Sequence, residues 1–198
     1  YDYHCPILSL PGLFGTEIAT IPAAVPYISV SPVKLSRWRE RLQGDGSRLK
    51  VGLSWAGRPT HKKDYYRSLS LSQLGPLSEV EGVTFYSLQK GEASLESVSP
   101  PSGMRLGDYT SELGDFSDTA GLIGNLDLVI SVDTAVVHLA GAMGKKVWTL
   151  LPYAPDWRWL LGREDSQWYP TMRLFRQPAP GDWQAVIAQV TASLSGYR

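Results

Sequence analysis

The stretch DLVISVDTAVVHLAGAMGKKVWTLL, Asp127 to Leu151, decides the fold class. It opens on Leu128 to Val132, a short run that is apolar but for Ser131. Such a run is expected where helices cover both faces of a parallel sheet. Thr134 to Met143 follows with helical spacing and many small residues, and Lys146 to Leu151 reads as the next strand. Strand, helix and strand in this order make a βαβ unit.

Outward from this unit the alternation repeats. Further strands are expected at Leu49–Trp55, Val83–Leu88, Met104–Gly107 and Met172–Phe175. Helices are expected at Leu71–Glu79, Glu92–Val98, Ser117–Asn125, Asp156–Leu161 and Asp182–Leu194. The expectation is an α/β fold, a Rossmann-like doubly wound parallel sheet over 47–198 with strand order 3-2-1-4-5-6. Residues 1–46 read as a lead-in or interdomain linker plus one short helix. Pro6, Pro11, Pro22 and Pro26 fall between Tyr1 and Ser31, where each fixes its own φ and restricts the residue before it, so no regular helix is expected there. Ser31-Pro32 then offers an N-cap and a first-turn proline for an amphipathic helix over Val33–Leu42, ended by Gly44-Asp45-Gly46. Starting at Tyr1 inside an apolar stretch, without Met, predicts a domain upstream.

Composition narrows the function. At 198 residues and 43% hydrophobic the chain can bury a proper core. Lys+Arg and Asp+Glu are both 19, so no net charge attracts nucleic acid or an anionic membrane over a distance, and electrostatic function must be local. One cysteine, Cys5, excludes an internal disulfide and a thiolate cluster for zinc or iron–sulfur chemistry. With no apolar run near the ~20 residues of a membrane span and no signal-peptide pattern, the expected address is the cytoplasm.

In an open parallel sheet ligands bind beyond the carboxyl ends of the strands, where strand order reverses. Here that is between the exits of the first and fourth strands. The first exit carries Ala56 to Arg67, with Arg58, His61, Lys62 and Lys63 close together and Arg67 beyond the tyrosines. It reads either as a solvated charged loop or as a local funnel for an anion. The fourth exit carries Asp133-Thr134-Ala135, where Asp133 or Thr134 can cap the next helix, whose free N–H groups and dipole favour an anion. His138, one turn further, either faces the pocket or bonds within the core. Neither a GxGxxG dinucleotide fingerprint nor a GxxxxGK[ST] loop is present, which weighs against dehydrogenase and triphosphatase readings. Trp157, Trp159, Trp168 and Tyr169 either stack on a ligand or cover a core edge, and Arg158, Arg163, Glu164 and Asp165 read as a polar rim.

The segment around Asp133-Thr134-Ala135 and His138 resembles the donor-site signature of heptosyltransferase-like glycosyltransferases (family 9-like), in which Asp-Thr-Gly precedes a helix carrying a His. The wider string resembles more closely the glycosyltransferase-like C-terminal region of bacterial tetratricopeptide-repeat proteins. It does so through Tyr3-His4-Cys5-Pro6 with Ser9-Leu10-Pro11, Val51 to Gly57, Ser87 to Gly91, and Pro155 to Trp159 with Trp168-Tyr169-Pro170. It is distantly similar to the O-linked N-acetylglucosamine transferases. The resemblance implies the C-terminal half of a two-domain GT-B enzyme that binds a nucleoside-diphosphate sugar as donor, with no cofactor and no metal. The acceptor contacts and the general base would then lie in a missing N-terminal domain, in a protein that also carries tetratricopeptide repeats. Carried over, Asp133, Thr134 and Ala135 would meet the diphosphate, assisted by Lys62 or a neighbouring Arg58, Lys63 or His138. Gln89 and Lys90, with Asp118 and Thr119, would border the nucleoside. Ala135 stands where the family has Gly, and its methyl reduces backbone approach. A non-catalytic interaction module and a nucleotide-sugar epimerase are the alternatives.

Overall fold

The computed structural model describes residues 2–197; Tyr1, the start of the expected lead-in, lies outside them. Six strands, β1 (Leu49–Ser54), β2 (Val83–Ser87), β3 (Leu106–Gly107), β4 (Leu128–Val132), β5 (Val147–Leu151) and β6 (Met172–Arg176), form one sheet in the order β3-β2-β1-β4-β5-β6. Every pairing is parallel. This is the expected doubly wound order, and β1 and β4 run side by side with Ser54 opposite Ser131. Their exits therefore open on one crevice.

The helices are α1 (Leu10–Leu13), α2 (Pro32–Arg41), α3 (Asp64–Arg67), α4 (Phe116–Gly124), α5 (Ala135–Ala142) and α6 (Trp183–Ser195). Side chains alternate across a strand, so β4 sends Leu128, Ile130 and Val132 into one core and Val129 into the other. The first core lies under α6 and the segment Leu71–Glu79, through Leu74, Leu77, Val186 and Val190. The second lies under α2, α4 and α5, through Trp38, Leu122, Ile123 and Val137. Both faces being covered explains why β2, β4 and β5 are buried along their whole length.

Four expectations need correcting. Leu71–Glu79 and Glu92–Val98 are 3-10 turns, not α-helices. In the first, Pro76 has no N–H to give and its ring would clash with the carbonyl four residues back. In the second, serines bond back to the chain, as when Ser94 Oγ donates to Gly91 O at 2.7 Å. Asp156–Leu161 shrinks to one turn at Trp157–Trp159. The lead-in does contain a helical turn, α1, because Pro11 sits in its first turn, where a missing N–H costs nothing. Beyond α1 the lead-in lies mostly exposed, tied down where Tyr27 N and Ile28 N donate to Ala142 O.

Candidate functional site

At the β1–β4 crevice the structure forms a cleft of about 580 Å³. Its floor is the start of α5. Thr134 is the N-cap, in extended conformation, and its hydroxyl accepts from Val136 N. The adjoining Ala135 is exposed at the cleft. Asp133 is buried, and its carboxylate accepts from Trp159 Nε1 at 2.9 Å. His138 Nε2 lies 3.7 Å from the other carboxylate oxygen. Burial pushes the Asp133 carboxyl up, but His138 and Trp159 outweigh it and hold the group below its ordinary range.

His138 is fixed from both sides. Its ring stacks on Trp159 with centroids 5.4 Å apart, and Nδ1 lies 3.1 Å from the Tyr169 hydroxyl. Tyr169 reaches that far because it packs flat on α5 at Gly141, where a Cβ would come within 2.6 Å of its ring. Nε2 faces both the Asp133 carboxylate and Arg158 Nη1, the latter at 3.5 Å.

The opposite wall is the β1 exit. Asp64, buried in α3, accepts from Arg67 Nε at 3.0 Å and from Ser68 Oγ at 2.9 Å. Arg67 Nη1 then crosses the crevice to Asp133 O at 2.8 Å, joining the two strand exits. Gly57 makes room for this clamp, since a Cβ there would overlap Asp64 Oδ1 and lie 2.5 Å from Arg67 Nη2. A third tie is Gln89, which is 2% exposed. Its Oε1 accepts from Trp55 N and Ala56 N, both at 2.9 Å, and its Nε2 donates to Ala56 O and Lys90 O. Every polar atom of that amide is spent on holding the β1 and β2 exits together. Lys90 Nζ is likewise spent on Thr110 O and Leu113 O.

Of the residues singled out from sequence, Arg58, Gln89, Lys90, Asp133, Thr134, Ala135 and His138 meet at the cleft. Lys62 and Lys63 are exposed and stand outside its lining. Asp118 and Thr119 also stand outside it. Asp118 pairs with Lys34 of α2 at 2.8 Å, and the Thr119 hydroxyl donates to Asp115 O. Among the other lining residues, Arg67 and Arg158 were read from sequence as part of the basic stretch and of the polar rim, and Phe116 was not singled out. Arg158, read as rim, enters because Asp156 holds its Nε at 3.2 Å. Phe116, 60% exposed at the head of α4, presents a flat ring beside Lys90 and Gly91. An apolar aromatic directly after an N-cap Asp, on a helix facing the crevice, was the available signal. Of the aromatic cluster, Trp159 and Tyr169 are core, while Trp157 is 71% exposed.

The cleft is lined by Arg58, Arg67, Lys90 and Arg158 and by Asp133; of these cations Arg67 is paired with Asp64 and Arg158 with Asp156. These side chains lie beside the N-terminus of α5, whose free N–H groups and dipole favour negative charge. Among the described residues, no group of three His, Cys, Asp or Glu side chains could hold a metal ion. Nor is any helix among them long and apolar enough to cross a membrane.

Residues 114–159 match glycosyltransferase family 9 (heptosyltransferase). The family 9 segment runs from the head of α4 through β4, α5 and β5 to the Trp157–Trp159 turn, so it contains the floor of the cleft and Arg158. The wall carrying Arg58 and Arg67 lies outside it. Over its whole length the chain is 28% identical to protein FlbA of Caulobacter vibrioides, of which it spans 33%. The fold is shared with Escherichia coli ADP-heptose lps heptosyltransferase II (TM-score 0.58, 15% identity, 88% of this chain and 55% of that one). It is shared also with E. coli heptosyltransferase WaaC, solved with ADP (TM-score 0.51, 14% identity, 88% and 53%). A family 9 glycosyl transferase of Veillonella parvula gives a TM-score of 0.54 at 12% identity, over 86% of this chain and 46% of that one. The chain thus spans a third of its curated relative and about half of these structures.

Proposed function

We propose that the cleft binds the diphosphate of a nucleoside-diphosphate sugar and stabilises the departing nucleoside diphosphate during glycosyl transfer. The observation that carries this is the convergence of Arg58, Arg67 and Arg158 on the capped start of α5. Arg67 is already ordered by the bonds of its Nε and Nη1, so its charge is placed at the cleft without a further cost in ordering at the moment of binding. As the anomeric C–O bond breaks, negative charge grows on the diphosphate, and preorganised guanidinium and N–H donors bind that charge more strongly than they bind the intact donor. Phe116 offers a face for the nucleobase. Asp133 and Gln89 act here as organisers, because their side-chain polar atoms are spent on protein.

The acceptor's proton would go to a base outside this chain, on an acceptor-side domain, this chain being the C-terminal half of a GT-B enzyme. The share of the heptosyltransferase structures left uncovered supports that division. The two thirds of FlbA beyond the match leave room for such a domain and for tetratricopeptide repeats. A second reading, an interaction module, is favoured by one observation: Tyr3, Ile7, Leu8, Leu13 and Phe14 in the lead-in are all more than 70% exposed.

Calorimetric titration with ADP, UDP, GDP and CDP separates the two. Saturable binding of at least one is expected, weakened about tenfold or more by Arg67→Ala or Arg58→Ala and within twofold of the parent for Lys62→Ala, which lies outside the cleft. No binding by any of the four to folded protein refutes the donor-site reading and leaves the interaction module.

A further inference from the structure

The sequence reading left open what the tryptophans after β5 do, and the diphosphate cleft does not absorb them. A second cleft of about 400 Å³ adjoins the first, lined by Trp157, Trp168, Tyr169, His138 and Arg158. His138 and Arg158 belong to both clefts, so the two open into one another across these side chains.

This second cleft is built, not incidental. Trp157 begins a single 3-10 turn that is pinned at three points. Asp156 Oδ1 accepts from Arg158 N at 3.1 Å and holds the Arg158 guanidinium at 3.2 Å. Trp159 Nε1 is bound to Asp133. Arg176 donates to Trp159 O and Leu160 O at 3.3 and 2.9 Å. These bonds bury the ring of Trp159, 1% exposed, whereas Trp157 on the same turn stays 71% exposed. Trp168 stands edge-on to it, centroids 6.2 Å apart at 80°, with its indole N–H already given to Arg158 O at 3.1 Å. The cleft therefore combines a water-exposed indole face on a pinned turn with the Arg158 guanidinium, the His138 imidazole and Tyr169.

We propose that the Trp157–Trp168 cleft is the subsite for a pyranose ring. A pyranose has an apolar face of C–H groups and a girdle of hydroxyls. The first suits an indole face and the second suits guanidinium and imidazole, and an aromatic side chain with two rotatable bonds loses little freedom on stacking. The proposal rests on the donor-site reading for its place beside the diphosphate. The ring has two sources: the sugar carried by the donor, one bond from the diphosphate, or a sugar of the acceptor entering from the far side.

The test uses Trp157→Ala, which removes an exposed side chain and leaves the melting temperature within a degree or two, and Trp157→Phe, which keeps a smaller ring. Titrations with ADP, UDP, GDP and CDP and with a corresponding nucleotide sugar of each are paired with saturation-transfer NMR on methyl glycosides of glucose, galactose, mannose and N-acetylglucosamine. If the ring belongs to the donor, a nucleotide sugar binds about three- to tenfold tighter than its diphosphate. Trp157→Ala erases that increment, Trp157→Phe keeps part of it, and diphosphate affinity is unmoved. If the ring belongs to the acceptor, a methyl glycoside shows Trp157-dependent saturation of its ring C–H protons that an excess of nucleotide sugar does not displace. Glycoside binding without any diphosphate binding keeps the subsite and sinks the donor-site reading. Diphosphate binding with no Trp157-dependent effect of any sugar overturns the subsite, and the exposed indole is then a protein docking face.

Discussion

Asp133 shows how one residue can serve a site without touching its ligand. Its carbonyl receives Arg67 and its carboxylate receives Trp159, so the two walls of the cleft are joined through a single residue. The carboxyl is held below its ordinary range in the folded chain. A group lowered on folding contributes stability above its unfolded value, about 3.9, and that contribution is lost as pH falls through the folded value. Asp133→Asn keeps the shape and an acceptor for the indole N–H but removes the charge. It is expected to cost about 1–3 kcal/mol at neutral pH, and the difference from the parent should shrink in thermal melts as pH is lowered from 7 towards 3. A difference constant across that range would mean that the charge contributes nothing. The place of the site was legible in the sequence because strand order alone fixes the crevice, and the loops at its two sides were identified from their residues. The roles of individual side chains were less so. Gln89 looks like any polar residue after a strand, and only the close approach of the β1 and β2 exits turns its amide into a fastening. Arg67 depends on Asp64 and Gly57 being folded back against it, a contact that no spacing rule announces.

Between residue and molecule, the turn Trp157–Leu161 carries more of the site than its length suggests. Leu160 has φ 49° and ψ −172°, a region that costs a non-glycine residue about 1–3 kcal/mol. It is held there by the two bonds from Arg176 at the end of β6. Arg176→Ala removes both bonds and also lets Leu160 relax, so loss and relief partly cancel. Hydrogen bonds to a charged donor are the larger of the two, and a net destabilisation of about 1–3 kcal/mol is expected in denaturant unfolding. Freed of its anchor, the turn should also carry Arg158 out of register, with diphosphate affinity falling several-fold while that of the Lys62→Ala protein is unaffected. Unfolding unchanged by Arg176→Ala would show that the strain is not held by this residue. The strands were legible to within a residue or two, since burial on both faces leaves continuous apolar runs. The exceptions follow from local chemistry. At Leu71–Glu79 the apolar spacing is helical, but Pro76 permits only 3-10 turns. At β3 just two residues, Leu106 and Gly107, pair with β2, because an edge strand has a partner on one side alone and the apolar signal of Met104–Gly107 overstates its length.

At the scale of the whole molecule, the proposed function assigns one half of a transfer reaction to this chain. A net charge of zero gives no long-range field, so on the proposed function anion binding rests on the cations that line the cleft, Arg58, Arg67, Lys90 and Arg158. That arrangement suits stabilisation of a leaving diphosphate. Among the described residues of the cleft, the carboxylate of Asp133 is buried and bound to Trp159, and His138 contacts Tyr169 and Asp133, so both of these proton acceptors are engaged with protein. The two tasks are thermodynamically separable: leaving-group stabilisation appears in donor binding, whereas deprotonation appears only in turnover. The 198-residue chain is therefore expected to bind a nucleoside diphosphate with an affinity close to that of a longer protein containing an acceptor-side domain. Its rate of transfer, followed by release of nucleoside diphosphate in the presence of acceptor, should be lower by about the 10²–10⁴-fold that a positioned general base contributes. Equal turnover by the two proteins would place the base within these residues and undo the division of labour. Weaker binding by the chain alone, with turnover reduced in the same proportion, would mean that the second domain completes the donor site itself.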